Sequence, residues 1–160
     1  MLTVSVVCIG KLKEKYWRDA FEEYAKRLSA HCKFQLIELD EVRISDRPSQ
    51  KEIDTVVEKE GERILAKLPG GAAVIALCIE GKQWSSEELA DYIARQPLQG
   101  VSHLAFVIGG SYGLSPAVKQ KASVKLSFSK MTFPHQLFRV LLAEQIYRAF
   151  QIEKGSPYHK

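Results

Sequence analysis

The chain predicts an α/β fold: a single domain, residues 1–160, built on a mainly parallel sheet flanked by helices. Three observations carry that prediction. Short apolar runs suited to strands alternate with longer segments of helical periodicity, in the order β-α-β-α-β-α-β-α-β-α. Ala72–Ile79 is continuously apolar, the pattern of a parallel strand covered on both faces. No linker divides the 160 residues, a length that supports one core.

The elements follow in order. Leu2–Ile9 is the first strand. In Glu14–Leu28, residues Tyr16, Trp17, Ala20, Phe21, Tyr24, Ala25 and Leu28 form an apolar stripe at helical spacing. Phe34–Leu39 alternates as a strand, and Arg43–Ser49 is a polar loop containing the breaker Pro48. Lys51–Leu68 is a second helix, with Ile53, Val56, Val57, Ile64, Leu65 and Leu68 inward and Pro69-Gly70-Gly71 stopping it. After the Ala72–Ile79 strand, Ser85 or Ser86 caps a helix running through Arg95, with Glu87 and Glu88 in its first turn and Pro97 and Gly100 ending it. Leu104–Ile108 is the next strand. Ser115 caps a short helix with Pro116 at its first position. Val124–Leu126 is a brief strand, and Pro134 introduces the last helix, His135–Phe150.

Composition narrows the function. A hydrophobic fraction of 46% and a charged fraction of 26% are ordinary for a globular protein. No apolar run approaches the roughly 20 residues of a bilayer span, and the opening residues lack the marks of a signal peptide. The expectation is a cytoplasmic protein without membrane contact. Cys8, Cys32 and Cys78 have no CxxC spacing and the four histidines do not cluster, so no metal is expected. Charge is unevenly spread. Residues 1–100 hold 15 basic and 17 acidic side chains, whereas residues 101–160 hold eight basic against two acidic. A one-sided excess of this kind suits a polyanion such as RNA, or is simply a solvated basic face.

The usual catalytic signatures are missing. Ile9-Gly10-Lys11-Leu12-Lys13 is neither GxGxxG nor a P-loop, and there is no HExxH. A hydrolase or a dinucleotide-binding enzyme is disfavoured. What remains is main-chain chemistry at two strand ends. Gly109-Gly110-Ser111-Tyr112-Gly113 lets a ligand approach the backbone, or is a tight turn with no ligand. Ser127–Phe133 interleaves Phe128, Met131 and Phe133 with Ser129, Lys130 and Thr132, which suits a flat heteroaromatic ring or a plain core. The last helix is apolar on more than one face, so a second subunit is expected to cover it. Glu144 and Arg148 form an i,i+4 pair worth a few tenths of a kcal/mol if exposed. Arg139 either holds a phosphate or snorkels.

Ile108–Leu114, Leu126–His135, Tyr147-Arg148-Ala149 and Tyr158-His159-Lys160, together with Leu2–Tyr16 and the Ile79-Glu80-Gly81-Lys82 turn, resemble the RlmH family. These are SPOUT-class methyltransferases that modify N3 of a pseudouridine in large-subunit 23S rRNA. The resemblance spans essentially the whole chain. It implies a SPOUT fold with a C-terminal trefoil knot, S-adenosylmethionine as methyl donor, and a homodimer with each site at the subunit interface. It implies donor contacts at Leu77, Gly109, Gly110 and the loop Phe128, Ser129, Lys130, Met131, Thr132 and Phe133. Tyr112 stands where other members carry different side chains.

Candidates for deprotonating the acceptor, or stabilising its anion, are His135, His159, Arg139, Arg148 and Glu144, with Tyr158 stacking on the base. The terminal Tyr158–Lys160 segment either reaches a partner's pocket or frays. A tRNA methyltransferase of the same class and a non-enzymatic RNA-binding module are the alternatives.

Overall fold

A computed structural model describes all residues, 1–160. Five strands and five helices alternate: β1 (Thr3–Ile9), α1 (Lys15–Leu28), β2 (Lys33–Leu39), α2 (Gln50–Lys67), β3 (Ala73–Gln83), α3 (Ser86–Leu98), β4 (His103–Ile108), α4 (Pro116–Lys121), β5 (Val124–Ser127) and α5 (His135–Lys154). The strands form one sheet in the order β2-β1-β4-β3-β5, and every neighbouring pair is parallel.

The two-residue period of the strands sorts the core into two layers. From β1, Val4, Val6 and Cys8 face the side that carries α1, α3 and α5, where they join Leu104, Phe106, Ile108, Leu142 and Ile146. Val7 and Ile9 face the opposite side with Val107, Ile64 of α2 and Val118 of α4. Burial on both faces explains why β1, β3 and β4 read as near-continuous apolar runs.

Helix starts are set by local chemistry. Ser49 and Glu52 form a reciprocal capping box on α2, and Ser85, not Ser86, caps α3 by accepting the Glu88 N–H at 3.1 Å. Ser115 caps α4 with Pro116 behind it.

Several boundaries differ from the sequence expectation. Pro97 lies inside the last turn of α3, where its missing N–H costs one helix hydrogen bond and no further turns remain to be disrupted, and the helix ends at Leu98. Helix α5 continues past Phe150 to Lys154, because nothing breaks it before Gly155 takes the left-handed cap conformation. Strand β3 continues past Ile79 to Gln83. A bulge between Leu77 and Lys82 displaces Cys78–Gly81 from the ladder, then lets Lys82 and Gln83 rejoin β5 at Leu126 and Ser127. Tyr16 stands 62% exposed, outside the stripe assigned to it.

The path into α5 shapes everything downstream. β5 is an edge strand, yet α5 packs between α1 and α3 and reaches the end of β1. The chain therefore turns back across the carboxyl ends of the intervening strands. The β3 bulge lies tight against β5: a Cβ on Gly81 would lie 2.7 Å from the Lys125 carbonyl carbon, so only glycine fits there.

Phe106 is fully buried at the middle of the sheet. Phe106→Ala is expected to lower stability by about 3–5 kcal/mol, read as a fall in the urea midpoint at unchanged slope.

Candidate active site

Beyond the carboxyl ends of β3, β4 and β5 lies a cleft of about 420 Å3. Its walls are the Gly109–Leu114 connection after β4 and the loop after β5, with Leu77 and the Cys78–Glu80 bulge closing a third side. Open α/β sheets bind ligands at this edge.

The main chain here has spare hydrogen-bonding capacity. Across residues 128–133 no backbone group pairs with another backbone group; Met131 N–H donates to Ser129 Oγ at 3.0 Å, and the Ser129 carbonyl accepts from Ser127 Oγ at 2.9 Å. Across residues 109–114 the one such bond is Gly113 N–H to the Gly110 carbonyl, 3.0 Å. Gly109 is required by close approach, since a Cβ would sit 2.6 Å from the Gly113 carbonyl carbon. From α5, Phe138 braces the opposite wall, its ring 4.9 Å from Phe128 and 6.1 Å from Phe133. Apolar rings and unpaired amides together suit a heteroaromatic ligand with polar edges.

Most of the expected donor contacts meet in this cleft: Leu77, Gly109, Gly110, Phe128, Ser129, Met131, Thr132 and Phe133 all line it. Lys130 does not; it is exposed and outside the lining. His135 lines the cleft as well, and its pKa is held below the ordinary histidine value by the protein packed around it and then by the Arg139 charge.

Sequence reasoning missed three groups. Lys119 and Glu80 pair at the rim, and that hydrogen bond keeps Glu80 below the usual carboxylate range. Glu60 is buried on α2 directly behind Gly110, its Oε2 accepting the Val42 N–H at 3.1 Å. Burial pushes its pKa up. The signal was available, since Glu60 lies four residues from both Val56 and Ile64 on the inward stripe.

Arg139 proves to be structural. Only 1% exposed, it donates from Nη2 to the carbonyls of Ile9 and Gly10 and from Nη1 to Glu38, each at 2.9 Å. Glu38 also accepts the Leu12 N–H at 2.8 Å. With its guanidinium turned inward, Arg139 neither snorkels nor offers a free face to a phosphate; it leaves the set of catalytic candidates.

The remaining candidates form a second cluster, and none of them lines the cleft. Glu144 accepts from Arg148 at 2.6 Å and from the Tyr158 hydroxyl at 3.0 Å. Both members of the Glu144–Arg148 pair are well shielded, so it is more than the exposed pair the spacing suggested. Arg148 stacks on the Tyr158 ring at 4.8 Å and donates to His159 Nδ1 at 3.1 Å. An arginine only donates, which assigns the histidine proton to Nε2, 2.6 Å from Glu87. Burial and then the Glu144 bond push Tyr158 up to about 12, keeping it a donor. The terminal segment is thus docked on α5 and α3 and is not frayed. No group of three or more His, Cys, Asp or Glu is arranged to hold a metal ion.

Fold and cleft together define a class. Residues 2–159 match the family model described as "Predicted SPOUT methyltransferase", and the chain belongs to the SPOUT methyltransferase family. Within it the chain is a member of the RlmH family. It is 55% identical to the ribosomal RNA large subunit methyltransferase H of Bifidobacterium animalis subsp. lactis (strain AD011), 53% to that of Bacillus pumilus (strain SAFR-032) and 52% to that of Clostridium beijerinckii (strain ATCC 51743 / NCIMB 8052). Each comparison covers 99% of this chain and 100% of the relative. Among solved structures, a probable methylase family protein from Haemophilus influenzae Rd KW20 aligns with a TM-score of 0.52 at 11% identity, over 99% of this chain and 70% of that one. That likeness concerns the fold alone.

The cysteines offer a check on the cleft. Burial pushes Cys8 up to about 12 and Cys32 up to about 11; burial and then the Glu80 charge raise Cys78 as well, but Cys78 is only half-buried and lines the cleft, where a reagent can reach it. At pH 8 a disulfide-exchange reagent is expected to titrate one thiol, Cys78, in the native protein and all three in denaturant. Mass mapping of the modified residue checks the assignment.

Proposed function

We propose that this protein is an S-adenosylmethionine-dependent methyltransferase that modifies N3 of a pseudouridine in 23S rRNA, acting in the cytoplasm as a homodimer. The observation that carries the reading is the cleft between the Gly109–Leu114 and Phe128–Phe133 loops, with its unpaired main-chain groups, in a chain about half identical to large-subunit rRNA methyltransferases. The residues fit such a donor: Leu77, Gly109, Gly110 and the Phe128–Phe133 backbone would hold its polar edges, and Phe128, Phe133 and Phe138 its flat ring. When bound, the donor supplies a methyl group already electrophilic on a sulfonium.

The protein's own residues then have two tasks, to align the acceptor and to manage its proton. A uracil-type N3–H is a weak acid, in roughly the phenol range of 9–10. His135, on the cleft and biased toward its neutral form, is placed to accept a proton. Because Glu144, Arg148, Tyr158 and His159 line no part of their own chain's cleft, they serve a site only if a second protomer presents them, and this supports the homodimer. The exposed basic residues after position 100, Lys121, Lys125, Lys130, Lys154 and Lys160, supply the affinity for RNA phosphates.

The C-terminal trefoil knot belongs to the same reading. The return of the chain from β5 across the strand ends to α5 supports it.

Two outcomes test the proposal. Deleting Tyr158–Lys160 is expected to abolish labelled methyl transfer to ribosomal particles while calorimetry shows donor binding retained; near-normal turnover by the truncation refutes the tail's role. Gly109→Val, which forces a side chain into the Gly113 carbonyl, is expected to remove calorimetric binding of both S-adenosylmethionine and its demethylated product. Equal transfer to tRNA and ribosomal particles would instead favour the tRNA enzyme.

A further inference from the structure

On the side of the Gly109–Leu114 connection away from the cleft, α2 buries a carboxyl that no role assigned so far explains. Glu60 stands in the middle of that helix and is 5% exposed. We infer that Glu60 is a positioning residue for the methyl donor: its carboxyl braces Gly110 from behind and keeps the connection in the shape that binds. The inference rests on the methyltransferase reading above and adds to it a residue outside the cleft.

The cost of burial is the first argument. An acid taken out of water destabilises the fold unless something compensates. Glu60 has no ion pair to do so; the one cation that bears on it, Arg63, donates instead to the Asp40 carbonyl. An apolar side chain at this place, between Val56 and Ile64 on the inward stripe, would serve packing without that cost. Glu60 Oε2 accepts the Val42 N–H at 3.1 Å, which leaves Oε1 for a second task.

Contact is the second argument. A Cβ built on Gly110 would lie 2.7 Å from Glu60 Oε1, 3.3 Å from Oε2 and 3.3 Å from Ile9 Cγ2. The carboxyl thus fills the space that a side chain on Gly110 would otherwise take. The next residue repeats the close approach. Gly61 brings the α2 backbone so near Ser115 that an added Cβ would lie 2.8 Å from the Ser115 Cβ. Ser115 in turn caps α4, accepting the Val118 N–H at 3.2 Å. Consecutive residues of α2 therefore seat both ends of the connection, Gly110 at its start and Ser115 at its end.

Need is the third. Gly110, Ser111, Tyr112 and Gly113 all line the cleft, and one backbone hydrogen bond, from the Gly113 N–H to the Gly110 carbonyl, closes their turn. Two glycines leave such a turn many conformations, so its shape has to be imposed from outside. Glu60 lies against the residue whose carbonyl accepts that bond. Through Val42 the same carboxyl ties the turn to the segment after β2. A binding surface made of main-chain groups works only while those groups are held in place.

The test is calorimetric titration of S-adenosylmethionine into full-length variants whose folding is checked by circular dichroism. Glu60→Ala is expected to weaken binding by about tenfold or more, the scale of one lost hydrogen-bonded support. It also speeds hydrogen exchange of the Gly113 amide. Burial raises the Glu60 pKa and favours the neutral acid, so Glu60→Gln, its neutral isostere, is expected to keep near wild-type affinity. Gly110→Ala approaches from the other side. Its methyl would meet Glu60 and Ile9, neither of which lines the cleft, and is expected to weaken binding by displacing the carboxyl. Combined with Glu60→Ala it costs less than the product of the two single losses, because the methyl enters the vacated space. Wild-type affinity in Glu60→Ala, losses that multiply in the double variant, or equal loss in Glu60→Gln overturns the assignment. Should Glu60→Ala fail to fold, wild-type affinity in Gly110→Ala still overturns it. Absence of donor binding by the wild-type protein would count against the methyltransferase reading. Gly113 exchange then decides the brace by itself: faster exchange in Glu60→Ala upholds it, and unchanged exchange overturns it.

Discussion

A guanidinium buried as deeply as that of Arg139 is costly to desolvate, and a fold tolerates it only where several acceptors surround it. Here they are the last two carbonyls of the β1 exit and a carboxylate from the end of β2. Those groups lie where the strands end and ladder partners run out, so Arg139 satisfies them and is neutralised by Glu38 in return. Its Nε–H alone finds no acceptor. One turn earlier, Gln136 accepts the N–H groups of Lys13 and Glu14, extending the same grip along the β1–α1 connection. The start of α5 is thereby fixed against β1. Phe138, and with it the aromatic wall of the cleft, takes its position from that clasp.

Fixing α5 also fixes what it carries on its other side. Leu141 and Gln145 line a recess between α5 and the start of α3, and Glu144 and Arg148 anchor the terminal segment. One helix therefore aligns three sets of groups: the wall of the cleft, the edge of the recess and the docking of the tail. The β3 bulge does comparable work opposite, turning Cys78, Ile79 and Glu80 out of the ladder and toward the cleft. Rigid elements hold the groups in place, and loops contribute mainly their backbone.

Much of this was legible in the sequence. Strand and helix order, the capping serines and the doubly covered β3 run follow from period, turn chemistry and apolar continuity. The two cleft loops were legible because Gly109-Gly110 and the interleaved 127–133 segment depart from what a plain connection needs. Long-range pairing was not. Arg139 looked unexplained because its acceptors are main-chain carbonyls about 130 positions away, which carry no side-chain signature. The extension of β3 to Gln83 was hidden for a similar reason: Glu80-Gly81-Lys82 reads as a turn, and only the proximity of β5 makes it a strand. The tail read as frayed or mobile since its partners, Glu87 and Glu144, belong to two helices that the sequence cannot bring together.

The route of the chain into α5 has a kinetic meaning. The helix joins a layer whose other members, α1 and α3, come from much earlier in the sequence, and its principal polar anchor is the exit of the first strand. Loop closure of that span must precede any gain from the contact, which places such a topology among slow folders. Until α5 is seated, Phe138 cannot support the Phe128–Phe133 loop. A collapsed form with a complete sheet but an undocked last helix would hold secondary structure and lack the aromatic wall of the cleft. Completion of the cleft during refolding thus marks the arrival of α5, later than the sheet itself.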